Sequence, residues 1–220
     1  MPNFWDDRFA EPGYKYGTTP NAFLREQAAR LSDASQVLVP GDGEGRNGLW
    51  LAGQGHQVTA VDCSEVGLAK ARALAAERGN AVAARLHTRL ADLADWAPAP
   101  ESFDALVLVF CHLPSALRRV AHPRLAEGLK PGGWLILEAF HPTQLGRSSG
   151  GPKDVDMLCT LVDLRADFAG RLEEVVALEG EVLLDEGPGH QGAGKVTRYV
   201  GRRLGCQGPG LSQTMRPAPV

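Results

Sequence analysis

Gly41, Gly43, Gly45 and Gly48 crowd the stretch VLVPGDGEGRNG directly behind an apolar run, and Asp62 closes the next apolar run, QVTAVD. Where a strand gives way to a helix, glycines let backbone amides approach a ligand closely, and the start of the helix favours an acceptor or a negative group. Asp62 follows Gly43 by 19 residues, near the spacing at which an acidic side chain meets a ribose in dinucleotide sites. Gly43, Gly45 and Gly48 satisfy G-x-G-x-x-G, the dinucleotide pattern. The strand is expected to end by Pro40, however, so counting starts at Gly41 and puts Arg46 where the third glycine should stand. A G-x-G-x-G loop at Gly41, Gly43 and Gly45 fits better.

Further candidates follow in chain order. Asp92, in RLADLADW, lies behind the third expected strand and reads either as a ligand-binding acid or as a turn residue. His112, in VFCHLP, is placed at the carboxyl end of the fourth strand, facing the crevice where open α/β sheets bind ligands. Its imidazole can take a proton from a thiol, hydroxyl or amine near neutral pH, or it can serve as a wall of the pocket. Cys111 beside it should point the other way and act as buried filler. His141 (AFHPTQL) and His190 (GPGHQG) are weaker candidates for the same crevice. Trp5, Arg8, Phe9, Tyr14 and Tyr16 form an aromatic and basic cluster ahead of the first strand. No G-x-S-x-G, H-E-x-x-H or Walker A pattern is present, which removes the main hydrolase and phosphotransferase readings. Arg118-Arg119 and Arg202-Arg203 read as solvated surface charge.

These residues need a frame. Apolar runs QVLV, QVTAV, AARLH, FDALVLVF and GWLILEAF alternate with helical patterns, the signature of a parallel sheet with crossover helices. Consecutive apolar positions imply strands covered on both faces. Ser64 is the expected cap of a helix that stops at Gly79, and Pro123 is expected to kink or split the helix after VLVF. KPGG should turn the chain into the fifth strand. After a flexible loop, TQLGRSSGGPKD, and a helix near LVDLRADFAG, two β-rich runs joined by PGHQGAG predict an antiparallel hairpin near Leu184 and Val196. The expected fold is α/β, a doubly wound, seven-stranded, mostly parallel sheet in one domain over residues 1–204, with residues 1–34 as a cap and 205–220 as a disordered tail.

Composition narrows the partners. The 220 residues carry 23 Lys plus Arg against 26 Asp plus Glu, a net charge of -3, which offers no general attraction to nucleic acid or anionic membranes. No apolar run approaches the roughly 18 residues of a membrane span, so a cytoplasmic protein with a small-molecule partner is expected. Cys63, Cys111, Cys159 and Cys206 are far apart and form no C-x-x-C, so neither a disulfide framework nor a metal site is expected.

The glycine loop resembles motif I of the class I S-adenosylmethionine-dependent methyltransferases, and GEGRN followed by LA, GH, VTAVD and GL is similar to the small bacterial branch that includes tellurite-resistance and thiopurine methyltransferases. The resemblance extends from FWDDRF and YKYGTTPN through FCHLP and LKPGG to DEGPGHQG. It implies S-adenosylmethionine as cofactor, held by Gly41, Asp42, Gly43, Gly45, Arg46, Asn47, Asp62, Cys63, Asp92, Leu93 and Phe110. Asp62 would accept both ribose hydroxyls, and Asp92 with the Leu93 amide would read the adenine. Trp5, Arg8, Tyr14, Tyr16, His141 and His190 would border substrate or form a lid, with His112 as the catalytic candidate. One position departs from the pattern: Val39 stands where the family usually carries an acidic residue, so support for the methionine end must come from elsewhere. A nicotinamide-dependent oxidoreductase and a non-catalytic nucleotide-binding regulator remain open alternatives.

Overall fold

A computed structural model describes residues 4–205. Seven strands build one sheet: β1 (Gln36–Pro40), β2 (Gln57–Asp62), β3 (Leu86–Leu90), β4 (Phe103–Val109), β5 (Leu129–Phe140), β6 (Leu172–Asp185) and β7 (Gln191–Arg203). Their order is β3-β2-β1-β4-β5-β7-β6. The pairs among β1 to β5 are parallel, while β7 runs antiparallel between β5 and β6. The fold is therefore α/β and doubly wound, with the expected C-terminal hairpin. The inserted antiparallel β7 also separates it from the dinucleotide-binding order 3-2-1-4-5-6.

Continuous apolar strands follow from cover on both faces. On β1, Val37 and Val39 face one core with Val107 and Val109 of β4, against α2 (Ala22–Gln27), α3 (Arg46–Gly53) and α4 (Glu65–Glu77). Leu38, Leu106 and Leu108 face the opposite core, beneath α6 (Ser115–Glu127) and α7 (Leu161–Asp167). Each alternation hands one side chain to each layer. Two further helices complete the chain: α1 (Phe4–Phe9), and the single turn α5 (Asn80–Ala83), which packs Val82 and Ala83 against the first core.

Local signals mostly hold. Ser64 caps α4, its side chain accepting from Gly67 N, and the chain turns at Gly79 with φ 107°. Thr160 and Asp163 form a reciprocal capping box on α7. Three expectations need correction. Pro123 does not split the helix in two: α6 continues through it, burying Ala121, Leu125 and Ala126, and that packing carries it past the hydrogen bond the ring removes. KPGG lies within β5 as an irregularity in register against β4, between the Phe103 and Ala105 pairings. The loop TQLGRSSGGPKD is tied to β7 rather than loose, because buried Gln144 accepts from Lys195 N at 2.7 Å and Ser149 Oγ donates to Ala193 O at 2.8 Å. The expected disordered tail, with Cys206, lies outside the described residues apart from Gly205.

Candidate functional site

β1 ends at Pro40, as the glycine count required, and Gly41, Gly43 and Gly45 follow with φ of 67°, 55° and 88°. Side chains rarely adopt this left-handed region. A methyl group at Gly45 would also come within 2.5 Å of the Ala71 Cβ on α4. Gly45→Ala is accordingly expected to lower stability by about 1–3 kcal/mol, and an unchanged urea midpoint would contradict this role.

Gly48 has a different task. A Cβ there would run into the Asp42 carboxylate, whose two oxygens accept from the Gly48 amide at 3.1 and 3.2 Å. The third glycine of the apparent dinucleotide pattern is thus spent on seating an internal side chain. Asp42 is buried, which pushes its carboxyl up to about 7 against the opposing pull of the Gly48 amide. Asp62, at the end of β2, accepts from Gly43 N at 2.8 Å and from Ser64 N at 2.9 Å, so it holds the glycine loop and the start of α4 together. Its burial raises the carboxyl, against the same backbone amides. Half-buried Cys63 and buried Leu93 border this end of the sheet, while Asp92 is exposed and accepts from Ala94 N at 2.8 Å in a turn.

Phe110 leaves β4 with φ 51°, strained for a non-glycine. Phe110 and His112 come to the same crevice, with ring centroids 6.1 Å apart. Phe140 at the end of β5 stacks on Phe110 at 4.5 Å and lies 5.5 Å from His112 at an interplanar angle of 10°. His190, from the turn between β6 and β7, stands edge-on to both phenylalanines and 4.5 Å from Tyr16. His112 Nδ1 lies 3.1 Å from the Met157 carbonyl. A carbonyl only accepts, so Nδ1 carries the proton and Nε2 presents a lone pair. That Nε2 is buried and has no protein partner. Burial pulls the His112 imidazole down to about 4, keeping it neutral. Cys111 packs beside Gly41 as filler, its thiol pushed up to about 12 by burial.

The N-terminal cluster covers this crevice. Phe9 lies against Gly43 and Gly67, Trp5 stacks on Phe9 at 5.4 Å, and Arg8 donates to Tyr16 at 3.3 Å. Asp6 accepts from Ser64 Oγ at 2.6 Å, Lys15 N donates to Glu44 at 2.7 Å, and Lys70 beside Tyr14 reaches the Glu11 and Gly13 carbonyls. His141 is turned elsewhere: its Nδ1 accepts from Thr143 N at 3.2 Å, and Nε2 faces Glu179. Arg118 is not surface charge. It is buried between Asp163 and Asp167, where α6 faces α7, with His122 Nδ1 2.9 Å from the same Asp167.

Sequence reasoning missed a buried polar network. Fully buried Asn21 donates from its amide N to Asn47 Oδ1 at 3.0 Å and from Nδ2 to Glu138 at 2.6 Å and Glu186 at 2.8 Å. Arg198 donates to Glu138 at 2.8 Å, and Arg46 Nη2 meets Glu186 at 2.6 Å. The signal was present, since Glu138 interrupts the apolar run WLILEAF. Arg46 Nη1 and His190 Nδ1 are buried without partners. Left-handed glycines, a carboxylate at the end of β2 and unpaired buried polar atoms together fit a nucleoside-type ligand with polar groups at both ends.

Residues 37–133 match the methyltransferase domain family. The matched stretch carries the glycine loop, Asp62 and His112. No curated protein gives a significant sequence match. Among solved structures, the chain is similar to an S-adenosylmethionine-dependent methyltransferase of Methanosarcina mazei, with TM-score 0.65 and 16% identity over 84% of this chain and 99% of the other. It is likewise similar to TehB of Haemophilus influenzae, with TM-score 0.65 and 20% identity over 91% of this chain and 66% of the other. A third likeness is to the Burkholderia thailandensis 1,6-didemethyltoxoflavin-N1-methyltransferase, with TM-score 0.59 and 20% identity over 82% and 76%. The fold is the Rossmann-like fold of these methyltransferases. Among the described residues, no helix is long and apolar enough to cross a membrane.

Proposed function

We propose that the protein transfers a methyl group from S-adenosylmethionine to a small molecule whose nucleophilic atom carries a proton. The observation that carries this reading is the methyltransferase-domain match over residues 37–133, which falls on the elements that shape the glycine loop and its Asp62 anchor. The Burkholderia enzyme of the same fold is described with its substrate and S-adenosylhomocysteine bound. The likeness to TehB favours the tellurite-resistance branch.

Gly41, Asp42, Gly43, Gly45, Arg46 and Asn47 line the loop side of the cofactor site, Asp62 and Cys63 its ribose side, Asp92 and Leu93 its base side, and Phe110 the floor. Bound there, S-adenosylmethionine supplies an activated methyl group on a sulfonium. The chain's own task is positioning and drying. Phe110, Phe140, Tyr16 and His190 wall the acceptor from water. His112 Nε2, its lone pair fixed by the Met157 carbonyl, accepts the acceptor's proton. The segment from Trp5 to Tyr16 closes the site.

S-adenosylhomocysteine is expected to raise the melting temperature while NAD and NADP leave it unchanged. At ~100 times its dissociation constant a ligand stabilises by about 2.7 kcal/mol. Stabilisation by NAD alone would sink the methyltransferase reading.

A further inference from the structure

We infer that the buried Arg46–Glu186 pair reads the amino-acid end of the cofactor, Arg46 Nη1 taking its carboxylate and Glu186 Oε2 its ammonium group. The inference rests on the S-adenosylmethionine reading above.

The pair is incomplete as it stands. Arg46 and Glu186 side chains are 8% and 7% exposed and approach to 2.6 Å, yet Glu186 Oε2 makes no aligned hydrogen bond. Arg46 Nη1 is also buried and unpartnered, and His190 Nδ1, unpartnered too, stands 4.0 Å from the same Glu186 oxygen. Two nitrogens beside one carboxylate, Arg46 Nη1 and His190 Nδ1, therefore lack partners, and Glu186 Oε2 has only its ion pair with Arg46 Nη2; buried polar groups are rarely left so. The surrounding groups are already matched: Asn21 fixes the other Glu186 oxygen, and Glu138 is neutralised by Arg198.

The position suits the task. Arg46 opens α3 directly behind Gly45, and Glu186 follows the last residue of β6, so the pair joins the glycine loop to the hairpin tip at the ligand end of the sheet. A zwitterion brings one group for each member and no net charge, whereas a lone anion or cation would leave one member unmatched. Val39, where the family usually carries an acid, cannot bind an ammonium group. Glu186 supplies a carboxylate from another part of the chain.

The test is calorimetry of the wild type, Arg46→Gln, Glu186→Gln and the charge-neutral double variant, with S-adenosylhomocysteine and with 5′-methylthioadenosine, which lacks the amino-acid end. The wild type should prefer S-adenosylhomocysteine at least tenfold. In each variant that preference should collapse through weaker S-adenosylhomocysteine binding, with methylthioadenosine affinity changed less than twofold. Circular dichroism establishes folding, and the double variant guards against a single unpaired buried charge unfolding the chain. Wild-type preference retained in the folded variants, or equal loss of both ligands, would overturn the inference alone, as when the gap holds only water. Failure of the wild type to bind S-adenosylhomocysteine would overturn the cofactor reading and this inference with it.

Discussion

His112→Asn is expected to lower turnover by about 10²–10⁴-fold, the range for a general base, with cofactor affinity unchanged. Asparagine can keep a donor toward the Met157 carbonyl but offers no basic nitrogen in place of Nε2. The pH profile separates a base from a wall. Burial holds the imidazole near 4, below the ordinary 6.5, so the folded protein carries it neutral through the whole interval between those values. Wild-type turnover should then show no acid limb near pH 6.5 and should fall only as pH approaches about 4, a limb missing from the variant. The same sign governs stability. Buried His112, His122 and His190 all have lowered values, so the unfolded chain binds protons first, and stability should decline as pH drops below 6.5. Rates must be read where circular dichroism shows a folded chain. Wild-type turnover in His112→Asn would end the base assignment and leave positioning to account for the rate.

Asp62→Ala should be the most damaging change to cofactor binding. Its oxygens already accept from the Gly43 and Ser64 amides and keep lone pairs for two hydroxyls. Loss of a hydrogen bond to a charged group costs about 1.5–3 kcal/mol, roughly 10–150-fold in affinity. The substitution also strands two buried amides, each at about 1–3 kcal/mol of stability, so affinity and urea midpoint should fall together. Asp92→Ala should cost less, because Asp92 is exposed. Full affinity for S-adenosylhomocysteine in a folded Asp62→Ala variant would contradict the assignment.

The frame was readable because it depends on local rules. Apolar runs, the Ser64 cap and the turn glycines each act within a few residues, and the sheet obeys them. The glycine count from Pro40 agrees with the end of β1, and Gly48, the third glycine of the rival pattern, seats the Asp42 carboxylate. What stayed hidden depends on long-range meetings. Asn21, Glu138, Glu186 and Arg198 lie far apart along the chain, and only the sheet order brings them together. His141, a weaker candidate than His112, also ends a strand, but the 3-10 turn after β5 claims its Nδ1 as a cap. Arg118 looked solvated because nothing near it in sequence announces the carboxylates of α7.

The cover formed by residues from Trp5 to Asn21 is fastened to the glycine loop, to α4 and to the hairpin tip, where Gly189 N donates to the Lys15 carbonyl at 2.9 Å. None of these fastenings is a rung of the sheet. The cover can therefore lift while every strand pairing stays intact. On the methyltransferase reading, the contacts of Asp6, Lys15 and Lys70 are the ones that ligand exchange must break, and the ladder of the sheet is spared.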